Sequence, residues 1–287
     1  MKVLIYGAGV IGSLYAALLS EVGIDVDVYA RGDRLQSLQT KGLLYRKNGK
    51  LLTANVIVIA SLSRDDCYDF IFLTVRENQL MTALEELKNN DSPTIVTMVN
   101  SLDTYDKWEK ICGKGRILPA FPGAGGCIEG DILDAGLTPR IIQPTTFGKI
   151  DGREKKLAVL FRKAHIPYQM VEDMHTWQIC HLGLVVPIAD AYYESDDPIH
   201  AGEDFILMRK TARRIRRNYR LIRKKGRRLS PKKMNIFLLL PGSLVAVILG
   251  LTFRSEFGNR FMYQHSMKAP DEMRTLHKQF YAFIKRQ

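Results

Sequence analysis

Three glycines near the start of the chain, Gly7, Gly9 and Gly12, follow the G-x-G-x-x-G spacing of a turn that wraps a diphosphate. The apolar residues 3–6 predict a strand before the turn, and residues 10–22 predict a helix after it. The free amide groups and the positive dipole end of such a helix attract a diphosphate without a basic side chain. A glycine-rich turn that binds no nucleotide is the alternative. The predicted dinucleotide contacts in this segment are Gly7, Ala8, Gly9, Val10, Ile11 and Gly12.

The end of the next predicted strand, residues 25–30, indicates which dinucleotide is bound. NAD-binding chains usually carry an acid there for the ribose 2′-hydroxyl, whereas this chain continues with Arg31. An arginine suits a 2′-phosphate, so NADP is the expected cofactor, and Arg34 is a second candidate charge for the phosphate. Asp27 lies inside the strand, too early to reach the ribose. A merely solvated Arg31 is the alternative.

The order of predicted elements indicates the fold class. Further strands at residues 55–60, 69–75 and 94–99, with a helix at 80–88, argue for an α/β protein with a Rossmann-type, doubly wound parallel sheet. Later strands are predicted at 116–120 and 140–149, joined through the turn-rich FPGAGG at 121–126, and the pattern is almost entirely helical beyond 171. We therefore predict an NADP-binding domain over residues 1–171. A helical domain for substrate binding or dimerisation is predicted over residues 172–287.

The composition is that of an ordinary globular chain, with 287 residues and 46% hydrophobic residues. The chain begins directly in a predicted strand, so we expect no secretory leader and a cytoplasmic protein. The four cysteines, at positions 67, 112, 127 and 180, have neither metal-site nor disulfide spacing. Residues 236–253 are apolar, but Pro241 and Gly242 divide them, which favours a buried helix over a membrane span. No metal and no membrane partner are expected.

Positive charge is concentrated between Arg209 and Lys233, where fourteen bases occur without an acid. Apolar residues recur there at helical steps and predict an amphipathic helix with one buried stripe. The stripe consists of Met208, Ala212, Ile215, Tyr219 and Ile222. A basic face of this kind can attract nucleic acid or an anionic surface. A solvated helix facing water or a partner subunit is favoured, and nucleic acid is not expected, because no aromatic residues interleave for base stacking.

The motif order GAGVIG, YARG, TVRENQ and MVNS resembles the ketopantoate reductase family over about the first 150 residues. The resemblance implies that Arg31 recognises NADP. It also aligns Thr74, Arg76 and Gln79 with the family's T-V-K-x-x-Q, and Asn100 with the asparagine of Q-N-G that lies near the nicotinamide. In the FPGAGG loop, Gly126 becomes an expected neighbour of the cofactor.

The resemblance breaks where the family shows W-x-K-L-x-x-N, with a catalytic lysine and a substrate-binding asparagine. Trp177 matches, but Ile179 and Gly183 occupy the lysine and asparagine positions, so ketopantoate is not the expected substrate. Hydride reduction of a carbonyl still needs a proton donor or positive charge beside the oxygen. We predict that His181 gives this proton near neutral pH and that Gln178 orients the substrate. The alternative is a structural His181. Weaker candidates for the proton donor are His175 and His265, and Lys268 is a candidate to neutralise the carboxylate of a substrate.

Taken together, the residues and the resemblance predict an NADP-dependent oxidoreductase that transfers hydride between NADPH and a small carbonyl compound, expected to be a carboxylate. The substrate cleft is expected between the two domains, and a homodimer is plausible from the apolar content of the second. The alternative function is a catalytically inactive NADP sensor, or an interaction protein that uses the basic helix at residues 209–233.

Overall fold

A computed structural model describes residues 1–268 and 270–285 of the chain. Ala269 and the last two residues of the predicted second domain, Arg286 and Gln287, lie outside the described part. The chain divides into two units, Met1–Glu172 and Asp173–Gln287. The roles assigned to the two domains remain predictions.

The larger sheet of the first unit has eight strands within the described residues. They are β1 (Lys2–Tyr6), β2 (Asp25–Tyr29), β5 (Ile57–Ile59), β6 (Phe70–Leu73), β7 (Ile95–Thr97), β8 (Ile117–Phe121), β11 (Thr145–Gly148) and β12 (Tyr168–Val171). Their spatial order is β12-β11-β8-β7-β6-β1-β2-β5. Neighbours pair in parallel except β8 and β11, which pair antiparallel. The predicted doubly wound parallel sheet is confirmed, apart from this one antiparallel pair.

The helices of the first unit lie between these strands in the sequence. They are α1 (Val10–Ser20), α2 (Gly32–Lys41), α3 (Leu80–Leu87), α4 (Tyr105–Cys112) and α5 (Arg153–Lys163). An aromatic cluster in the core joins α1, the sheet and α5, because the rings of Tyr15, Phe72, Phe147 and Phe161 pack in contact. Crossover helices with buried apolar faces are what a parallel sheet requires.

The direction of winding changes beside β1. From β1 the chain moves outward on one side through β2 and β5, then crosses to β6, β7 and β8 on the other side. Ligands of open α/β sheets bind at such a switch point, outside the carboxyl ends of the strands. The segments that follow β1, β2, β6 and β7 therefore form the edge where a site is expected.

A second sheet of the first unit was not predicted. Its strands are β3 (Leu43–Lys47), β4 (Lys50–Ala54), β9 (Ala124–Glu129) and β10 (Ile132–Leu137), in the order β4-β3-β10-β9. The turn-rich interpretation of FPGAGG is wrong for its last three residues, because they begin β9 and pair with β10. Helix α1 packs against strands of both sheets. Backbone pairing across the two hairpins outweighs the poor strand propensity of glycine.

The strand predicted over residues 140–149 is shorter than expected. Only Thr145–Gly148 is extended, because the amides of Ile142 and Gln143 donate to the carbonyl of Pro139 and close a turn before it. The side chain of Ile141 is 84% exposed. The apolar residues Ile141 and Ile142 lie in this turn, although their sequence pattern predicts part of a strand.

The second unit is mainly helical, as predicted. Its helices are α6 (Met174–Glu194), α7 (Phe205–Lys224), α8 (Ile236–Leu239), α9 (Gly242–Phe253), α10 (Gln264–Lys268) and α11 (Pro270–Lys285). The stripe predicted on α7 is buried at all five positions. This stripe faces α6 and α9, which pack against α7.

The basic segment is only partly helical, which corrects the prediction of one helix up to Lys233. Helix α7 ends at Lys224, and a positive-φ glycine, Gly226, follows. Glu194 of α6 accepts from Lys210 at 3.0 Å and from Arg214 at 2.7 Å. Several of the bases therefore have acidic or carbonyl partners within the unit.

The apolar residues 236–253 do not form one buried helix. They form α8 and α9, and Leu240 and Pro241 break the chain between them. Val245 and Leu249 are buried, whereas Leu239 and Leu251 are 81% and 57% exposed. Among the described residues, no single helix has the length and apolar composition of a membrane span. The segments Lys232–Leu239 and Gly242–Phe253, which include α8 and α9, meet these two criteria only when they are taken together. The chain bends by 119° between them.

Candidate functional site

The glycine-rich turn lies directly after β1 and begins α1. Gly7 has φ +111°, which a side chain would strain, and Gly9 is the residue before the first turn of the helix. A Cβ on Gly12 would lie 1.9 Å from the carbonyl oxygen of Gly7, whereas a Cβ on Gly9 would have no atom of the described residues within 4 Å. The absence of a side chain at Gly12 therefore allows α1 to pack closely against the glycine turn. The backbone at Gly9 borders open space.

Side chains from two other parts of the first unit hold this turn. The hydroxyl of Thr74, which follows β6, donates to the carbonyl of Gly7 at 2.7 Å. On α2, Arg34 donates from Nε to the carbonyl of Ala8 at 3.1 Å and from Nη2 to Ser13 Oγ at 3.3 Å. Thr74 and Arg34, both predicted near the cofactor, are thus placed as supports of the turn.

Arg31 follows β2, as predicted, and its guanidinium has an acidic partner. Its Nη1 lies 2.9 Å from Oε1 of Glu86 on α3, and its cation lies 5.7 Å from the ring centroid of Tyr29. The other oxygen of Glu86 accepts from the hydroxyl groups of Tyr29, at 3.2 Å, and of Tyr6. Burial, together with the hydrogen bond to Glu86, raises the pKa of Tyr6, so its phenol stays protonated and donates. Arg31 is therefore tied to Glu86.

Asp27 lies within β2 rather than after it, as the sequence predicted. It is buried inside β2, where Lys2 lies 2.9 Å from its Oδ2 and the hydroxyl of Tyr68 donates at 2.8 Å. The acid near the end of β2 is instead Glu86, which sequence reasoning missed. No local signal could have found it, because Arg31 and Glu86 meet only through the sheet order.

Arg76, Gln79 and Asn100 follow β6 and β7 at the same sheet edge. Arg76 and Gln79 are exposed, and the Arg76 amide donates to Oε1 of Gln79 at 3.4 Å. Asn100 is 9% exposed, and within the described part of the chain its buried Oδ1 has no hydrogen-bond partner. A buried amide oxygen left unpaired is costly and suits a donor supplied by a ligand.

Gly126 lies inside β9, where it pairs with Ala135 of β10. Its φ is +146°, and a Cβ there would lie 2.3 Å from the carbonyl oxygen of Asp134. The expectation that Gly126 lies in a loop is therefore wrong, and its position beside the cofactor stays a prediction. Sheet pairing explains this glycine.

Helix α6 carries the residues predicted to contact the substrate. Asp173 begins the helix by accepting from the amide of Thr176 at 2.8 Å. Gln178 and His181 are buried, and the rings of Trp177 and His181 stack at 5.1 Å with an interplanar angle of 7°. The four-residue step thus places the indole and imidazole on one face of α6.

The imidazole of His181 is neutral at pH 7. Burial is the main cause, and it lowers the pKa of His181 to about 3. The expectation that this side chain gives its proton near neutral pH is therefore wrong. A neutral imidazole can still donate a hydrogen bond through its ring N–H.

Ile179 and Gly183, where the motif comparison expects the family's lysine and asparagine, are packed inside the second unit. Ile179 is fully buried. A Cβ on Gly183 would lie 3.2 Å from both Tyr219 and Ile222, and the Gly183 carbonyl accepts from Asn218 at 3.2 Å. Gly183 therefore allows α7 to approach α6 closely, which an asparagine would obstruct.

The first unit has the sheet order and the glycine turn of a Rossmann-type dinucleotide-binding fold, the fold of many oxidoreductases. Residues 3–130 match the family model "Ketopantoate reductase PanE/ApbA". Over this part the chain is therefore similar to ketopantoate reductases, and the resemblance predicted from its motifs is confirmed.

Proteins that are similar in sequence or in structure are named as 2-dehydropantoate 2-reductases or ketopantoate reductases. A 2-dehydropantoate 2-reductase of Mesorhizobium japonicum is 30% identical over 138 residues, which are 47% of this chain and 38% of that protein. The match thus spans well under half of the relative's length. A ketopantoate reductase structure from Ralstonia solanacearum MolK2, described as putative, has a TM-score of 0.66 at 15% identity and covers 98% of this chain and 96% of its own.

A third similarity is to a ternary structure of D-mandelate dehydrogenase with NADH and anilino(oxo)acetate. It has a TM-score of 0.62 at 15% identity and covers 99% of this chain and 98% of its own. At this identity the two structural similarities establish the fold alone. They support an α/β protein with a helical second unit.

Proposed function

We propose that this chain is a reductase that uses NADPH to transfer hydride to the carbonyl carbon of a small keto acid. The observation that carries the proposal is the carboxyl edge of the larger sheet. There the Gly7 to Gly12 turn, Arg31 and the unpaired Oδ1 of Asn100 follow β1, β2 and β7. A dinucleotide offers a diphosphate, a ribose phosphate and a carboxamide, which are the groups these residues can bind.

The residues of this edge fit the cofactor in different ways. The open space at Gly9 and the amides of the first turn of α1 would receive the diphosphate. Arg31 would bind the 2′-phosphate, and Asn100 Oδ1 would accept from the carboxamide. Arg76 and Gln79 would line the nicotinamide side. Gly126 keeps its proposed place near the cofactor only through its backbone. The bound cofactor supplies the hydride.

His181 and Gln178 are the residues that we propose to contact the substrate. Hydride addition leaves negative charge on the carbonyl oxygen, and preorganised hydrogen-bond donors stabilise that charge. A neutral imidazole N–H from His181 can serve as such a donor, and the amide of Gln178 can orient a carboxylate. In this proposal water, rather than His181, is the source of the proton. Exposed Lys268 on α10 is a candidate partner for a substrate carboxylate.

The substrate is proposed to differ from 2-dehydropantoate, the compound in the relatives' names. The family's lysine and asparagine are replaced by Ile179 and Gly183, and both positions are occupied by internal packing. A site of different polarity selects a different keto acid. A cytoplasmic location and a homodimer remain part of the proposal.

The test is direct binding of NADPH and NADH to the full chain, followed by NADPH oxidation with a panel of 2-keto acids that includes 2-dehydropantoate. His181→Ala and Gln178→Ala are compared with His200→Ala, a control at an exposed histidine of the same unit. We expect NADPH binding, turnover of a keto acid other than 2-dehydropantoate, and a roughly hundredfold lower kcat in His181→Ala. The NADPH Kd should not change in that variant.

The possible results separate the candidate functions. Binding without turnover of any keto acid would support the cofactor sensor instead of the reductase. Turnover that is unchanged in both α6 variants would remove His181 and Gln178 from the site. Absence of dinucleotide binding would overturn the proposal as a whole.

A further inference from the structure

The carboxylate of Glu86 contacts Arg31, the residue proposed to bind the ribose 2′-phosphate of NADPH. It extends from α3 to the residues at the ends of β1 and β2, although it is 55 positions away from Arg31 in the sequence. Oε1 accepts from Arg31 at 2.9 Å, while Oε2 accepts from Tyr6 and Tyr29. Three donors thus fix the position of this carboxylate.

The tyrosines that hold Glu86 are themselves fixed. Their rings stack with centroids 4.6 Å apart, and both residues are buried at the ends of their strands. The side chains of Glu86 and Arg31 are 37% and 50% exposed, so a ligand can reach them. The result is a rigid carboxylate beside an accessible guanidinium.

This arrangement affects a phosphate and a hydroxyl in opposite ways. A 2′-phosphate carries negative charge, so Glu86 repels it and also competes for Arg31. A 2′-hydroxyl is a hydrogen-bond donor, and a carboxylate at the end of the second strand is the acceptor that NAD-binding folds use. Glu86 therefore favours NADH, whereas Arg31 favours NADPH.

We propose that Glu86 is a specificity-determining residue that weakens NADPH binding relative to NADH by holding Arg31 and repelling the 2′-phosphate. This inference rests on the proposed function, because it requires dinucleotide binding at the glycine turn. Under this inference the chain has a smaller NADPH preference than Arg31 alone would give.

The experiment measures the Kd of NADPH and of NADH by fluorescence titration of the full chain, for wild type, Glu86→Gln and Glu85→Gln. The amide introduced by Glu86→Gln keeps an acceptor for the tyrosines and loses the charge. Glu85 is the neighbour of Glu86 on α3, with an exposed side chain 3.8 Å from Lys88, and makes a charge-matched control. We expect Glu86→Gln to tighten NADPH binding roughly tenfold, about the size of one charge-assisted hydrogen bond.

NADH binding should weaken or stay constant in Glu86→Gln, and Glu85→Gln should leave both Kd values unchanged. The gain for NADPH should shrink at high ionic strength, since it is electrostatic. A second variant, Tyr29→Phe, removes one hydrogen bond to Glu86 without altering charge. It should change the ratio of the two Kd values less than Glu86→Gln does.

Weaker NADPH binding in Glu86→Gln would overturn the inference, because Glu86 would then orient Arg31 for the phosphate. An equal change for both dinucleotides would overturn it as well, since the role would be structural. If wild type and all variants bind neither dinucleotide, the proposed function fails and this assignment falls with it. Binding by wild type with an unchanged ratio in Glu86→Gln would overturn the inference alone.

Discussion

The indole of Trp177 and the imidazole of His181 lie almost parallel, one helical turn apart on α6, with ring centroids 5.1 Å apart. This stack accompanies a burial that lowers the pKa of His181 to about 3. The imidazole is therefore neutral across the physiological pH range. Its burial links folding stability to pH.

His181→Phe should reduce the loss of stability in mild acid. The folded-state pKa lies below the ordinary value of about 6.5, so the unfolded chain takes up a proton first and stability falls as the pH drops from about 6.5 towards 3. Between pH 7 and pH 5 this costs wild type about 2 kcal/mol. Phenylalanine preserves an aromatic stack and cannot titrate. Urea unfolding of both proteins at the two pH values measures the difference.

His175→Phe is the control for this experiment, because it is a less buried histidine on the same helix. It should retain the acid sensitivity of wild type. An identical loss of stability in wild type and His181→Phe would contradict the neutral, buried imidazole.

Gly9→Ala and Gly12→Ala should separate binding from packing in the glycine turn. Within the part of the chain that the structure describes, a Cβ on Gly9 meets no atom within 4 Å, so we expect unchanged Tm and roughly tenfold weaker dinucleotide binding. A Cβ on Gly12 collides with the Gly7 carbonyl and should cost about 3 kcal/mol. Gly242→Ala, at the start of α9, is the control. Calorimetry and titration of each variant give the two readouts, and equal loss of stability in both turn variants would contradict the assignment.

Thr74→Val should loosen the turn without changing side-chain size. The variant loses the hydrogen bond to the Gly7 carbonyl and the longer one, 3.3 Å, to the Tyr6 carbonyl. We expect about 1 to 2 kcal/mol lower stability and several-fold weaker dinucleotide binding. Thr40→Val removes a hydroxyl that bonds only its own exposed helix at 2.7 Å, and should have little effect. Denaturant midpoints that agree for the two variants would argue against a role of Thr74 in the turn.

Arg116→Met should destabilise the first unit. Its guanidinium donates to four backbone carbonyls from α3, α4 and the connection between α3 and β7, namely those of Leu87, Asn90, Ser92 and Cys112. Methionine removes this donor from all four carbonyls, and we expect a loss of about 3 kcal/mol or more. Arg64→Met, with a side chain 75% exposed, is the matched control. Urea midpoints compare the two, and a loss no larger than that of the control would contradict this role.

Local patterns were sufficient to predict the parallel sheet, the glycine turn and the position of Arg31 after β2. Each depends on residues that are close in sequence, such as Gly7 and Gly12, whose spacing directly reflects the geometry of the turn. The buried stripe of α7 followed from helical periodicity for the same reason.

Features made by distant segments could not be predicted in this way. The second sheet joins β3 to β10, and the strand propensity of the glycine-rich β9 is weak. The contact between Arg31 and Glu86 depends on the side-by-side position of β1, β2 and β6. The low pKa of His181 depends on burial, which a single helix pattern cannot specify.

The supports of the glycine turn bear on the kinetics of cofactor capture. Thr74 and Arg34 hold the carbonyls of Gly7 and Ala8 from two elements, so the turn is already ordered before any dinucleotide arrives. A preformed receptor pays no ordering entropy during association. The observed association rate should therefore rise linearly with NADPH concentration in a single phase. The residence time of the cofactor would then be set by the rate at which its phosphates and nicotinamide dissociate from the protein.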